Sequence, residues 1–136
     1  MQTVALPVVS AITAGVLIVG QMGLMLTVAG ARFRGRQSLG DGVDPKLLQL
    51  VRRHGNYAEN AAIFVASLAL LEMLGAVRPF VIGLAALFIV GRALHAIGLS
   101  LPKTTNLWRI VGVIATATAG FALGVRLVML GIGHLG

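Results

Sequence analysis

The sequence predicts an all-α integral membrane protein, an up-down-up-down bundle of four transmembrane helices forming a single domain over residues 1–136. Three observations predict it. Of the 136 residues, 57% are hydrophobic and only 11% charged, and the mean hydropathy of +0.95 lies far above a soluble protein's range. The apolar residues gather into four long runs, and about 20 residues rising ~1.5 Å each cross a hydrocarbon core of roughly 30 Å. The connections between runs are short, which makes sequential helices antiparallel neighbours.

The first helix is expected over about residues 4–31, a run without a single charge. Ala29-Gly30-Ala31 at its end resembles a secretory cleavage site, but no basic segment precedes it. Its apolar core also exceeds the usual ~7–15 residues of such a signal, so it reads as a retained helix. The loop that follows carries Gly35, Gly40, Asp41, Gly42 and Asp44, residues that favour turns. Asp44-Pro45 supplies an N-cap and a first-turn proline for a second helix over 45–74, whose first turns are amphipathic. Gly75 suits its C-terminal end, and Arg78-Pro79 opens a third helix, 79–101. Pro102 breaks the chain before a fourth helix, 106–134, in which Gly120 and Gly124 form a small-xxx-small pair that favours close helix contact. Four helices make a thin bundle, so self-association is expected.

The formal net charge of +7 does not point to nucleic acid. The cations sit at membrane boundaries rather than on a solvated face: Arg32, Arg34, Arg36, Lys46, Arg52 and Arg53 bracket the first loop, Lys103 and Arg109 the third. By the positive-inside rule those loops are cytoplasmic and both termini lie on the non-cytoplasmic side. The chain has no cysteine, which excludes a disulfide framework, a thiolate metal site and a thiol nucleophile of its own. Any sulfur chemistry must arrive with a ligand. Three histidines are too few and too scattered for a metal or haem site, and none is expected.

The polar residues within the apolar runs carry the functional signal, because charge inside a bilayer is costly and usually pairs or binds. Arg52, Asn56 and Glu59 stand at i, i+4 and i+7 on one helical stripe. Arg92 and His95, at i and i+3, share a face of the third helix. A Glu59–Arg92 contact would offset part of the cost of burying both. Two readings remain open: structural ion pairs that lock the bundle, or a pocket whose excess of arginine awaits an anion. Tyr57 reads as an interfacial anchor, and Glu72 with Arg78 as a surface pair at the outer helix ends.

The run Arg52-Arg53-His54-Gly55-Asn56-Tyr57-Ala58-Glu59-Asn60, leading into an apolar helix that ends Leu71-Glu72-Met73-Leu74-Gly75, resembles the second helix of the MAPEG superfamily, membrane-associated proteins in eicosanoid and glutathione metabolism. Its Arg-x-x-x-Asn-x-x-Glu pattern is met by Arg52, Asn56 and Glu59, and Gly91–Leu99 is similar to the third-helix Arg-x-x-His variant through Arg92 and His95. The likeness covers nearly the whole chain and is closest to the small bacterial branch. It implies a homotrimer in the bacterial inner membrane that binds glutathione between neighbouring subunits. Carried over, Arg52, Asn56 and Glu59 would hold the tripeptide, with Arg92 and His95 completing the pocket. Arg109 would stabilise the thiolate, and Arg32 would contribute from the end of the first helix. Leu99 stands where eicosanoid-forming relatives carry a tyrosine, and the fourth helix has none, which argues against a lipid-mediator substrate.

Three functions follow in competition. The leading one is a glutathione transferase or peroxidase acting on hydrophobic small molecules drawn from membrane lipid, in which an adjacent guanidinium favours the thiolate. A small proton-coupled transporter would use Glu59, but Glu59 sits toward one helix end with Arg52 on its stripe. A non-catalytic glutathione- or lipid-binding module would keep the pocket without the chemistry.

Overall fold

The fold was analysed in a computed structural model that describes residues 5–40, 44–103 and 105–135. Val4, where the first helix was expected to begin, and Asp41 and Gly42 of the first loop lie outside the described residues. The chain forms α1 (Val8–Arg34), α2 (Pro45–Ala58), α3 (Ala61–Met73), α4 (Arg78–Ser100) and α5 (Leu107–Gly133), with no strand among the described residues. By length and composition α1, α4 and α5 are each able to cross a membrane.

Two expectations about element bounds are corrected. The helix expected over 45–74 is divided at Glu59-Asn60 into segments of 14 and 13 residues, neither of which is a span by itself. Asparagine is a weak helix former whose short side chain competes for backbone groups. In addition, the Asn56 carbonyl, which would receive the Asn60 N–H in an unbroken helix, meets a side chain from another helix, as described below. Helix α1 runs past residue 31, so Arg32 and Arg34 occupy its last turn, where cations face the negative end of the helix dipole.

The turn chemistry is local and legible. The Asp44 side chain accepts from the Lys46 N–H at 2.9 Å, with Pro45 in the first turn behind it. At the end of α3 the Gly75 N–H donates to the Glu72 carbonyl and the Ala76 N–H to that of Leu71. Gly75 takes φ +80°, the left-handed conformation such a cap requires.

Packing is tightest between α4 and α5, through glycines other than those expected. A Cβ on Gly98 would lie 2.6 Å from the Arg109 backbone nitrogen, and one on Gly91 2.9 Å from that of Thr116. Gly112 faces the backbone of His95 from the other side. Around Gly120 and Gly124 nothing lies within 4 Å, so this small-xxx-small pair makes no helix contact within the subunit. The core closes around Leu17, Leu68, Leu71, Val81 and Leu123, with Phe64 of α3 and Phe88 of α4 stacked at 3.7 Å between ring centroids. Tyr57 is not an interfacial anchor: it is 7% exposed, and its ring lies against Gly20 of α1, where any side chain would collide with it.

Glu72 also departs from expectation. Instead of forming a surface pair, its carboxylate accepts from the Val9 N–H (3.0 Å), the Ser10 N–H (3.0 Å) and the Ser10 hydroxyl (2.9 Å). The first N–H groups of a helix have no partner within it, and α1 obtains its cap from the far end of α3. Among apolar surroundings such donors are expensive to leave unmade. Glu72→Ala is therefore expected to cost about 1–3 kcal/mol, lowering the thermal midpoint of the detergent-solubilised protein. Glu72→Gln, which keeps an acceptor oxygen, should lose less. An unchanged midpoint for Glu72→Ala would refute the cap.

Candidate functional site

The site is built outward from α4. Arg92 and His95, one turn apart, are each only 4% exposed. The Arg92 guanidinium reaches across to α2 and donates from NH2 to the main-chain carbonyl of Asn56. In an unbroken helix that carbonyl would accept from the Asn60 N–H; here it takes a side chain from another helix, at the point where α2 gives way to α3. The Nε of Arg92 is buried without any hydrogen-bond partner. A guanidinium so far from water and short of one bond is an incomplete arrangement.

Arg92 and His95 head an open cavity of about 580 Å³ bounded by the end of α2, α3, α4 and α5. Its polar pole consists of these two residues with Asn56, Glu59 and Asn60. The rest is an apolar arm between Phe64 and Phe88 on one side and Val113, Gly120 and Gly124 on the other. Ile63 and Phe121, both highly exposed, border it. The cavity is amphiphilic, with cation at one end and hydrocarbon along the remainder.

Of the residues expected from sequence, Asn56, Glu59, Arg92 and His95 meet in this cavity. The predicted Glu59–Arg92 ion pair is replaced by the bond to the Asn56 carbonyl; Glu59 still acts electrostatically on both Arg92 and His95. Arg109 does not line the cavity but is near enough to His95 to act on its charge. Asn106 fixes Arg109 by accepting from its N–H at 3.1 Å while donating to the Gly98 carbonyl at 2.8 Å. Arg52 is exposed and enters only through its carbonyl, which accepts from the Asn56 amide at 2.8 Å. Arg32 turns onto its own loop, donating to the Gly40 carbonyl at 2.6 Å, and does not reach the cavity.

Several contributors stand outside the expected site set, two of them, Arg53 and Asn60, within the polar run that carries it. Arg53 joins three helices, donating to Thr27 of α1 and Ser100 of α4 at 2.9 Å each, and Gln49 donates to the Leu99 carbonyl at 2.7 Å. Together they hold α2 against α4, so that Asn56 meets Arg92. Asn60, Ser67 and Thr116 line the cavity as well. The signal for Ser67 was available: positions 56, 60, 63 and 67 continue the stripe that Arg52 and Asn56 begin. His54 faces α1 instead, with its Nε2 3.0 Å from Gln21 Nε2. Among the described residues no group of three His, Cys, Asp or Glu side chains is placed to hold a metal.

The break in the second span predicts a measurable exchange of partners. Arg92→Met frees the Asn56 carbonyl, and the helix is expected to close across it, slowing hydrogen exchange at the Asn60 amide. Because the lost bond is offset by relief of a desolvated charge, net stability should change by no more than about 1–2 kcal/mol. Unaltered fast exchange at Asn60 would contradict this account of the break.

Compared with known proteins, the model of the MAPEG family matches residues 10–129. No curated protein matches the chain.

Proposed function

The chain belongs to the MAPEG family, and we propose that it is a glutathione-binding membrane enzyme, a transferase or peroxidase for lipophilic electrophiles. Membership of the family is consistent with a role in glutathione or eicosanoid metabolism, and the three apolar helices make the chain an integral membrane protein. The finer reading adds an up-down-up-down passage of four spans, with α2 and α3 together as the second. It places both termini on the outer side of a bacterial inner membrane, and three copies in a closed homotrimer. The cations at the ends joined by the first and third loops support that orientation.

The observation that carries the proposal is Arg92, buried at the head of an amphiphilic cavity with one nitrogen unpartnered. A peptide bearing two carboxylates and a thiol supplies what this pole lacks. Its carboxylates suit Arg92, planar and always charged; Glu59 suits its ammonium, and Asn56 and His95 offer hydrogen bonds to its amides. Arg52 and Arg32, which point away from the cavity within one subunit, find a role if glutathione sits between neighbouring copies.

Arg109 then acts on the sulfur. A cation beside the thiol favours the thiolate, which attacks an electrophilic carbon held in the apolar arm: a C–S bond forms, and the leaving group departs with the electron pair. With a hydroperoxide the thiolate attacks the outer oxygen instead: an S–O bond forms as the O–O bond breaks, the alkoxide leaves and is protonated to the alcohol, and a second glutathione reduces the resulting sulfenic acid to the disulfide and water. Confining both partners beside the cationic pole supplies proximity. With Leu99 in place of a phenol, guanidinium charge alone would support the thiolate.

Isothermal calorimetry on the purified protein tests the reading. Glutathione should bind at or below millimolar concentration. Arg109→Ala should retain comparable affinity yet lose roughly 100-fold in turnover with a generic aryl halide, the scale set by removing one preorganised electrostatic group. Absence of binding at millimolar glutathione would overturn the proposal.

A further inference from the structure

The apolar arm of the cavity contains two hydroxyls, and their hydrogen bonding differs. Thr116 on α5 donates back to the Gly112 carbonyl of its own helix at 2.8 Å. This is the usual resort of a hydroxyl in apolar surroundings, which satisfies itself on the preceding turn. Ser67 on α3 makes no hydrogen bond, although it lines the same space. It lies seven residues beyond Asn60, about 10 Å along the helix from the polar pole. Opposite, Gly120 and Gly124 leave open space on the α5 wall. The arm is thus a hydrocarbon slot with one uncommitted polar group, set far from where the sulfur of a ligand held by Arg92 would lie.

From this geometry we propose that Ser67 is a specificity-determining residue of the second-substrate site, selecting electrophiles whose apolar chain carries an oxygen function remote from the reactive carbon. The inference rests on the glutathione reading of the polar pole and deepens it by naming the substrate class. The reactive carbon faces the sulfur, the chain lies between Phe88 and Gly120, and the remote oxygen pairs with the Ser67 hydroxyl. A site that can hydrogen-bond an oxygen discriminates against an analogue lacking it, because its own hydroxyl is then left unpaired. An oxygenated chain would otherwise lose its hydration on entering the slot, so the pairing also removes a barrier to binding.

The test uses a long straight-chain conjugated enal and the same enal with a terminal hydroxyl. The thiolate adds to the β-carbon of either, the C=C electron pair passes into the enolate, and water returns a proton to the α-carbon. The wild-type protein should prefer the hydroxylated enal in kcat/KM by about tenfold, the scale of one buried hydrogen bond. Ser67→Ala should abolish that preference by lowering kcat/KM for the hydroxylated enal about tenfold, and Ser67→Thr should restore most of it. Equal rates for the two enals in wild type, or a preference surviving in Ser67→Ala, would overturn this inference while leaving the glutathione reading intact. A protein that binds no glutathione overturns both.

Discussion

The structure depends on one hydrogen bond between helices, from the Arg92 guanidinium to the main-chain carbonyl of Asn56. It occupies an acceptor that the second span would otherwise use for its own next turn, and the span divides at Glu59-Asn60. The break brings Asn56, Glu59 and Asn60 to the head of the cavity together. The guanidinium is satisfied by backbone through NH2, while its Nε, like that of Arg53, is buried without a partner.

Around this point the frame is held by contacts that leave little room for adjustment. The backbones of α4 and α5 meet at Gly91, Gly98 and Gly112, fixing His95 and Arg109 relative to each other. Arg53 and Gln49 hold α2 to α4, and Asn106 ties the start of α5 to the end of α4. At the opposite end Glu72 caps α1, so the helix expected to contribute Arg32 is anchored where it begins. On the α5 side, the backbone lies close to α4 at Gly112 and Thr116, while Gly120 and Gly124 farther along line the cavity with open space before them.

Much of this was legible in the sequence because it is written in local chemistry or in periodicity. The apolar runs, the Asp44-Pro45 start, the Gly75 stop and the Asn56–Glu59 and Arg92–His95 stripes need no knowledge of the neighbours. Features that depend on which helices meet were not legible. Tyr57 resembles a belt residue until Gly20 is found opposite it, and Glu72 resembles a surface charge until the open N-terminus of α1 reaches it. The pair Gly120 and Gly124 matched a contact motif, yet three other glycines make the contact. Composition identifies residues able to pack closely, and only the crossing point selects those that do. The break at Asn60 was concealed in part for the same reason, since the side chain that meets the Asn56 carbonyl comes from another helix.

The chemical consequence is a membrane protein with no thiol of its own and a cavity headed by a buried guanidinium, Arg92, that is short of one hydrogen bond. A buried donor without a partner is unfavourable when the cavity is empty and is relieved by an acceptor brought to it. The most direct measurement is the ultraviolet difference spectrum on adding glutathione to the purified protein near neutral pH. This account predicts a thiolate band that saturates with occupancy and is absent with the S-methylated tripeptide. Saturable binding with no thiolate band would contradict it, reducing the cationic pole to a holder of carboxylates.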